Sequence, residues 1–508
     1  MSATLDQPVL RTDDIAEPVV GRVRIDNLRV WNTGEIIDAE FPTQDAALHG
    51  AVIDGTGLMV SPGLVDVHVH FRDPGQTAKE DMRSGAAAAA AGGFTDVCIQ
   101  PNTVPAADGE PFAPTDPIGE RLIRQGFVSV LDYLELYEDS FGIDLPVDYT
   151  LAVAATKGRN GTEASRSALW ESFLQGEIAD AGHPVVALSD DGSAVSAQAL
   201  DEVLDNAKLH GIFLMEHCEH HDSGIINDGE ISRKLGVKGV SADTELAIVE
   251  RDIAAAKRTG VHIHLQHVST AAAFDAVRKA KADGIPITCE TAPHYFALSD
   301  AAVEKYGAMA KMNPPLRSES DRLATIAAIA DGTVDAIATD HAPHTVEEKA
   351  RGLLDSPNGI IGLETSYALA NTLLVESGAI TERRLIELMS LTPAELEGLG
   401  RVDVAELAAG SPLDSSTGHR LVSLEVPAAD ADDDDTDAAA AGREVPRVNL
   451  SLLAPKKRWI VNAADFRSKA RNTPFDAMHL TGRPIATVVN SMLLDVAGLL
   501  KEASSWID

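Results

Sequence analysis

Cysteine is scarce: Cys98, Cys218 and Cys289 are the only three in 508 residues, and no two form a CxxC pair. A disulfide framework is excluded, and reduced thiols in a cytoplasmic protein are the expected state. Basic residues are also short, with 42 Lys and Arg against 78 Asp and Glu, a formal net charge of −36. That deficit argues against nucleic acid or an anionic membrane as a partner. It leaves room for a small anionic substrate where the site itself concentrates positive charge. No apolar run reaches bilayer-spanning length. The opening "MSATLDQPVLRTDDIAEP" has neither the basic start nor the apolar core of a secretory signal, so residues 1–19 read as a disordered tail. No internal repeat of fixed period is present.

What is present is enough apolar material for a large core, 44% of residues, in a patterned order. Residues 20–61 alternate in short stretches such as "GRVRIDNLRVW" and "GAVIDGTGLMV", which predicts small antiparallel strands. From Ser61 the rhythm changes to short apolar runs separated by helix-like segments. The runs are "GLVDVHVH" (63–70), "GFTDVCIQ" (93–100), "VDYTLAVAAT" (147–156), "PVVALSD" (184–190), "IFLMEHC" (212–218), "VHIHLQHV" (261–268), "IPITCETAPH" (285–294) and "VDAIATDH" (334–341). "VSVLDYLEL" (128–136) competes with the third. Eight alternations predict an α/β fold, a TIM (β/α)8 barrel over 62–390. Strand-like pieces return after Leu391, in "VNLSLL", "KRWIV" and "ATVVN". They predict a small β-sandwich-like domain built from both termini, 20–61 with 391–490, followed by a C-terminal segment, 491–508. The acidic, alanine-rich stretch 426–446 reads as a disordered insertion.

Polar residues gather at the C-terminal ends of the runs, the face on which barrels carry their active sites. "VDVHVHFRDPG" (65–75) ends the first run with His68 and His70 on one face of a strand. Charged, the two imidazoles repel; neutral, they can grip one metal ion, and neutral imidazole suits zinc, with bonds of about 2.0–2.1 Å. "SDDG" (189–192) ends the fourth run and in isolation reads as a turn. His217 ends the fifth run, His267 the sixth and Asp340 the eighth. Four histidines and two aspartates exceed the needs of one ion, and a two-metal site with a bridging carboxylate and hydroxide fits the count. His262 and His264 read as structural, His220, His221 and His341 as surface or supporting residues, and Cys218 as pointing away from His217.

Together "PGLVDVHVHFRDPG", "PNT", "DDG", "EHCE", "HVST", "KMNPPLR", "ATDHAPH" and "GIIGLET" resemble the bacterial dihydroorotases of the barrel-plus-β-domain type, in the amidohydrolase superfamily. The likeness runs from about Pro62 to Glu364 and resumes in "FRSKARNTPF" (466–475). It implies two zinc ions per subunit, His68, His70 and Asp340 on one, His217 and His267 on the other, with Asp191 and a hydroxide as bridges. Asp190 is the fallback for the bridge, and Lys157, carboxylated, a remote third choice. Arg72, Asn102, Asn313, His344 and Gly359 would hold substrate, and Asp340 would act as general base and then acid. Asn358 stands where the family pattern is apolar, which touches substrate fit rather than reaction class.

The implied reaction is the reversible cyclisation of N-carbamoyl-L-aspartate to (S)-dihydroorotate in pyrimidine biosynthesis. Arg72 answers the substrate's free carboxylate with a planar guanidinium; the bland alternative is an ion pair with Asp73. The implied enzyme is cytoplasmic and a homo-oligomer such as a dimer, with aspartate transcarbamoylase as a partner to consider. Two other readings compete: a dihydropyrimidinase- or allantoinase-like hydrolase, and a non-catalytic dihydroorotase-like scaffold for aspartate transcarbamoylase.

Overall fold

A computed structural model describes residues 19–175, 181–219, 224–426, 448–500 and 506. The expected tail and acidic insertion fall, apart from residues 19 and 426, outside the described residues, as do His220 and His221.

Each of the eight runs holds a strand: β1 (Leu64–Val69), β2 (Phe94–Ile99), β3 (Asp148–Ala154), β4 (Val185–Ser189), β5 (Phe213–His217), β6 (Ile263–Gln266), β7 (Ile287–Thr291) and β8 (Ala336–Ile337). They lie side by side in chain order and all run parallel. The first and last meet through a parallel bridge between Val69 and His341, where the His70 N–H donates to the His341 carbonyl at 3.0 Å. The competitor at 128–136 is a short helix, Val130–Glu135, capped by Ser129.

Parallel barrel strands are covered on both faces, which is why they read as continuous apolar runs. Inside, Val65, Val67, Cys98, Phe213 and Met215 fill the space left by Ala152, Ala187, Ala336 and Ala338, large residues against small. Between the strands in the chain lie helices α1 (Met82–Ala91), α2 (Pro117–Gln125), α3 (Leu200–His210), α4 (Asp243–Thr259), α5 (Ala271–Ala282) and α6 (Glu319–Ala330), of which α1, α3, α4 and α5 pack on the barrel strands. The alanine face of α1 allows close approach: a Cβ on Gly85 would fall 2.4 Å from the Phe71 ring.

Strands from the two ends of the chain form one eight-stranded sheet. Its order is Arg420–Ser423, Ile36–Thr43, Gly21–Val30, Met59–Pro62, Leu450–Ile460, His479–Val489, Met492–Leu494, with Val52–Asp54 also on Gly21–Val30. The antiparallel expectation holds for Gly21–Val30 with Ile36–Thr43, but Val52–Asp54 and Met59–Pro62 run parallel to the first strand. The chain between barrel and sheet is helical at Glu382–Ile386, Thr392–Leu396 and Val404–Gly410, so the sheet's C-terminal half begins at Arg420. Ser451 fastens the sheet to the barrel's lower rim, accepting from Leu64 N at 3.0 Å and donating to the Gly93 carbonyl at 2.6 Å.

Candidate active site

The barrel delivers His68 and His70 from the end of β1, Asp191 from just past β4, His217 from β5, His267 from just past β6 and Asp340 from beyond β8. Asp66 locks the first and last of these together: one carboxylate oxygen accepts from the backbone N–H of His68 and of Thr339, each at 3.1 Å. Burial pushes the Asp66 carboxyl up to about 7.

All six expected donors converge. Asp191 Oδ1 lies 3.3 Å from His68 Nε2 and 3.4 Å from both His217 Nδ1 and His267 Nε2, while Oδ2 lies 3.4 Å from His70 Nε2. His217 Nδ1 and His267 Nε2 are 3.0 Å apart. Asp340 Oδ1 is 3.2 Å from His70 Nε2 and 3.7 Å from His68 Nε2. Four ligands held tetrahedrally at about 2.0–2.1 Å from one ion stand about 3.4 Å from each other. The donor spacings match that figure, and His68 Nε2 is buried without a hydrogen-bond partner. His68, Asp191 and His267 form one group able to hold a metal, and His68, His70 and Asp340 another. The residues present therefore fit a metal pair, with Asp191 reaching both halves.

The electrostatics agree with an anionic carboxylate pair among imidazoles. Burial raises Asp191, but His68, His217 and His267 outweigh it and hold the carboxyl well below its ordinary value. Burial likewise raises Asp340, and the hydrogen bond from His70 with nearby His68 and His267 brings it below the usual range. Burial keeps His217 down to about 4, hence neutral and ready to ligate.

Asp190 stands apart from the six donors. It accepts from Thr156 N at 2.9 Å and from the Thr156 hydroxyl, turned away from the histidines. Lys157 is half exposed and pairs with Glu110 at 3.6 Å, outside the site.

Behind the donors stands a layer that sequence reading missed. Glu290, on β7, takes the His68 Nδ1–H at 2.6 Å with one oxygen and the His264 Nε2–H at 3.1 Å with the other. The Thr288 hydroxyl then lies 2.8 Å from His264 Nδ1. Donating from Nδ1 leaves the Nε2 lone pair of His68 aimed into the site, the second-layer device that fixes a ligating imidazole. His264, expected to be merely structural, thus acts on the site through Glu290. His341 is buried, 3.3 Å from Glu80 through Nε2 and accepting from Gly362 N, so it supports the site from within rather than from the surface. Replacing Glu290 by Gln should weaken metal binding about 10–100-fold with the fold intact, measured by competition against a chelator.

The residues expected to hold substrate divide into two groups. Asn102 and Asn313 rest on the donors themselves: Asn102 Oδ1 is 2.6 Å from His70 Nδ1 and its amide donates to Asp191 Oδ2 at 3.1 Å, while the Asn313 amide is 3.1 Å from His217 Nε2. Arg72, His344 and Gly359 stand beside them. Arg72 is buried, its Nε has no hydrogen-bond partner, and burial lowers the guanidinium to about 10. The alternative partner is engaged elsewhere: Asp73 accepts from the Tyr133 hydroxyl at 2.9 Å and from Met82 N at 3.4 Å. His344 Nε2 lies 2.7 Å from the Asn358 carbonyl, and burial with Arg72, Lys79 and Lys349 nearby takes it down to about 3. At Gly359 the φ of 122° and a Cβ position 2.6 Å from Ala342 Cβ and 3.2 Å from His344 Nε2 leave room only for glycine.

The amidohydrolase family profile matches residues 59–414. The chain belongs to the amidohydrolase family. Members of this family are typically metal-dependent, in keeping with the donor clusters above. This amidohydrolase is 37% identical over 447 residues to a dihydroorotase of Citrifermentans bemidjiense, covering 87% of this chain and 89% of that one. It is 34% identical over 490 residues to a dihydroorotase of Pelotomaculum thermopropionicum, covering 96% and 98%. In fold it is similar to the L-hydantoinase (dihydropyrimidinase) of Arthrobacter aurescens, with a TM-score of 0.65 at 21% identity over 93% and 95% of the two chains. At that identity the likeness concerns the fold alone.

Two more features of this amidohydrolase surround the site. Arg159, unremarked in the sequence, donates to the carbonyls of Asp190 and Asp191 and so braces the turn that carries the Asp191 carboxylate. Arg72, His267 and Asp340 all have left-handed backbones, with φ of 60°, 37° and 47°. Such conformations cost non-glycine residues about 1–3 kcal/mol and gather at functional sites.

Proposed function

We propose that this chain is a dihydroorotase that uses two zinc ions to interconvert N-carbamoyl-L-aspartate and (S)-dihydroorotate in pyrimidine biosynthesis. One observation carries the reading: a buried arginine with an unpaired Nε stands beside a cluster of six side chains able to hold metal. The substrate has a reacting amide and a free carboxylate, and the site pairs one feature with each. The dihydroorotase relatives at 34–37% identity support the same choice.

His68, His70 and Asp340 would hold one ion, His217 and His267 the other, with Asp191 between. Bound zinc supplies a polarised carbonyl and a water whose pKa is lowered to about 7. Arg72 holds the free carboxylate by two parallel hydrogen bonds, which fixes the ring. Asp340 takes the proton of the attacking water as the O–C bond forms and gives it to the ring nitrogen as the C–N bond breaks. In the synthetic direction Asp340 takes the ureido proton as the N–C bond forms and gives it to the carboxylate oxygen, which leaves as water with a second proton from solvent as the C–O bond breaks. His344, neutral, and Gly359 border the ring, and Asn102 and Asn313 keep the ligating imidazoles oriented. Three free, buried thiols suit a reducing, cytoplasmic setting. Among the described residues no helix is long and apolar enough to cross a membrane.

The test is metal analysis with assays in both directions. Turnover of dihydrouracil or allantoin without dihydroorotate would move the chain to the dihydropyrimidinase-like class. A folded, metal-free, inactive protein would favour the scaffold. Within the proposal, Arg72→Met should leave zinc in place and raise KM for dihydroorotate about 100-fold, two charge-assisted hydrogen bonds' worth. An unchanged KM would remove Arg72 from the substrate.

A further inference from the structure

The segment 466–473 lies in the connection between two strands of the terminal sheet, Leu450–Ile460 and His479–Val489, and it is tied to the rim of the barrel. Glu364 accepts from the backbone of Arg467 at 2.8 Å and Ser468 at 3.1 Å, and Glu80 accepts from Lys469 N at 3.0 Å and from the Ser468 hydroxyl. At the end of this strap sits Asn472, 2% exposed. Its Oδ1 accepts from His344 N at 3.1 Å, and its amide donates to the carbonyls of Ala342 and Gly359, both at 3.1 Å. Its own carbonyl accepts from Ile361 N at 3.1 Å. One side chain, with its amide N–H groups and carbonyl both engaged, thus spans two stretches of the site that two short helices, Val346–Lys349 and Gly352–Asp355, separate in the chain.

We propose that Asn472 is a positioning residue that sets the spacing between His344 and Gly359, so that the terminal sheet contributes to substrate fit. The inference rests on the dihydroorotase reading for its substrate, but its geometry does not depend on it. Asn472 touches no metal donor; the two stretches also meet through Ala342 N on the Ile360 carbonyl at 2.8 Å and His344 Nε2 on the Asn358 carbonyl at 2.7 Å, and Asn472 adds three side-chain bonds to these two. Truncation would orphan three buried backbone groups at once: one N–H and two carbonyls. Because His344 and Gly359 border bound substrate throughout the reaction, loosening them removes uniform binding, which raises KM and spares kcat.

The experiment compares full-length wild type, Asn472→Ala and Asn472→Asp, all zinc-loaded, by steady-state kinetics on dihydroorotate, zinc content and amide hydrogen exchange across 342–361. For Asn472→Ala the expected result is KM raised about tenfold or more, kcat within about threefold, zinc content unchanged and faster exchange in 342–361. Asn472→Asp keeps the acceptor for His344 N but turns a carboxylate oxygen toward the Ala342 and Gly359 carbonyls, so it should loosen the segment at least as much as alanine does. Where the alanine variant does not fold, the aspartate variant carries the same criteria. Wild-type KM in a folded, zinc-loaded variant overturns the proposal, as does unchanged exchange. Wild type that ignores dihydroorotate overturns the substrate reading instead, and the exchange measurement then decides on Asn472 alone.

Discussion

Asp340→Asn should lower kcat about a thousandfold while leaving KM within a few-fold and zinc content near that of the wild type. Asparagine keeps the shape of the side chain and one oxygen for the nearby donors. What it loses is the capacity to take and return a proton. Asp340 is buried, its Oδ1 3.2 Å from His70 Nε2, and held anionic against the pull of burial by His70, His68 and His267. An anionic carboxylate at that place is a base before it is an acid. Steady-state kinetics with metal analysis check the expectation, and kcat within tenfold of wild type would assign the proton transfer to another group.

Asp191→Ala should have the larger effect on the metals. Its two oxygens face four imidazoles between 3.3 and 3.4 Å, and no other carboxylate reaches both halves of the cluster among the described residues. Removing it leaves Asp340 and Glu290 beside His70 and His68 but takes the facing carboxylate from His217 and His267. Breaking a buried charge pair costs about 3–5 kcal/mol, or roughly two to four orders of magnitude in affinity. The purified variant should therefore carry substoichiometric zinc and no measurable turnover. Asp190→Ala is the control: its carboxylate serves Thr156, so the variant should lose stability and keep its metal. Full zinc in Asp191→Ala, or its loss in Asp190→Ala alone, would reverse the assignment.

All eight barrel strands were legible because each is an apolar run ending in a polar residue, and that combination survives even where β8 shrinks to Ala336–Ile337. The donors were legible for the same reason, being the residues at those ends. Glu290 was not. Its value comes from facing His68 across the barrel, 222 positions away, with His264 brought alongside β7 by the pairing of His264 with Thr288. Neither closure nor register is written in a local pattern. Asn472 was quoted in a motif without a role, because its partners lie 113 to 130 residues upstream. The parallel pairing of Val52–Asp54 and Met59–Pro62 escaped for a related reason: alternation announces a strand but not its direction.

The left-handed residues bear on attempts to make this barrel more heat-resistant. Exchanging such a position for glycine relieves the clash, since glycine adopts that backbone freely, against the entropy that glycine adds to the unfolded chain. Eight non-glycine residues with positive φ are candidates among the described residues. Arg72, His267 and Asp340 are closed to the approach, because the side chain is the reason the conformation is tolerated. Ala477 and Ser491, far from the donors in sequence and carried by the terminal sheet, are where an engineer could begin.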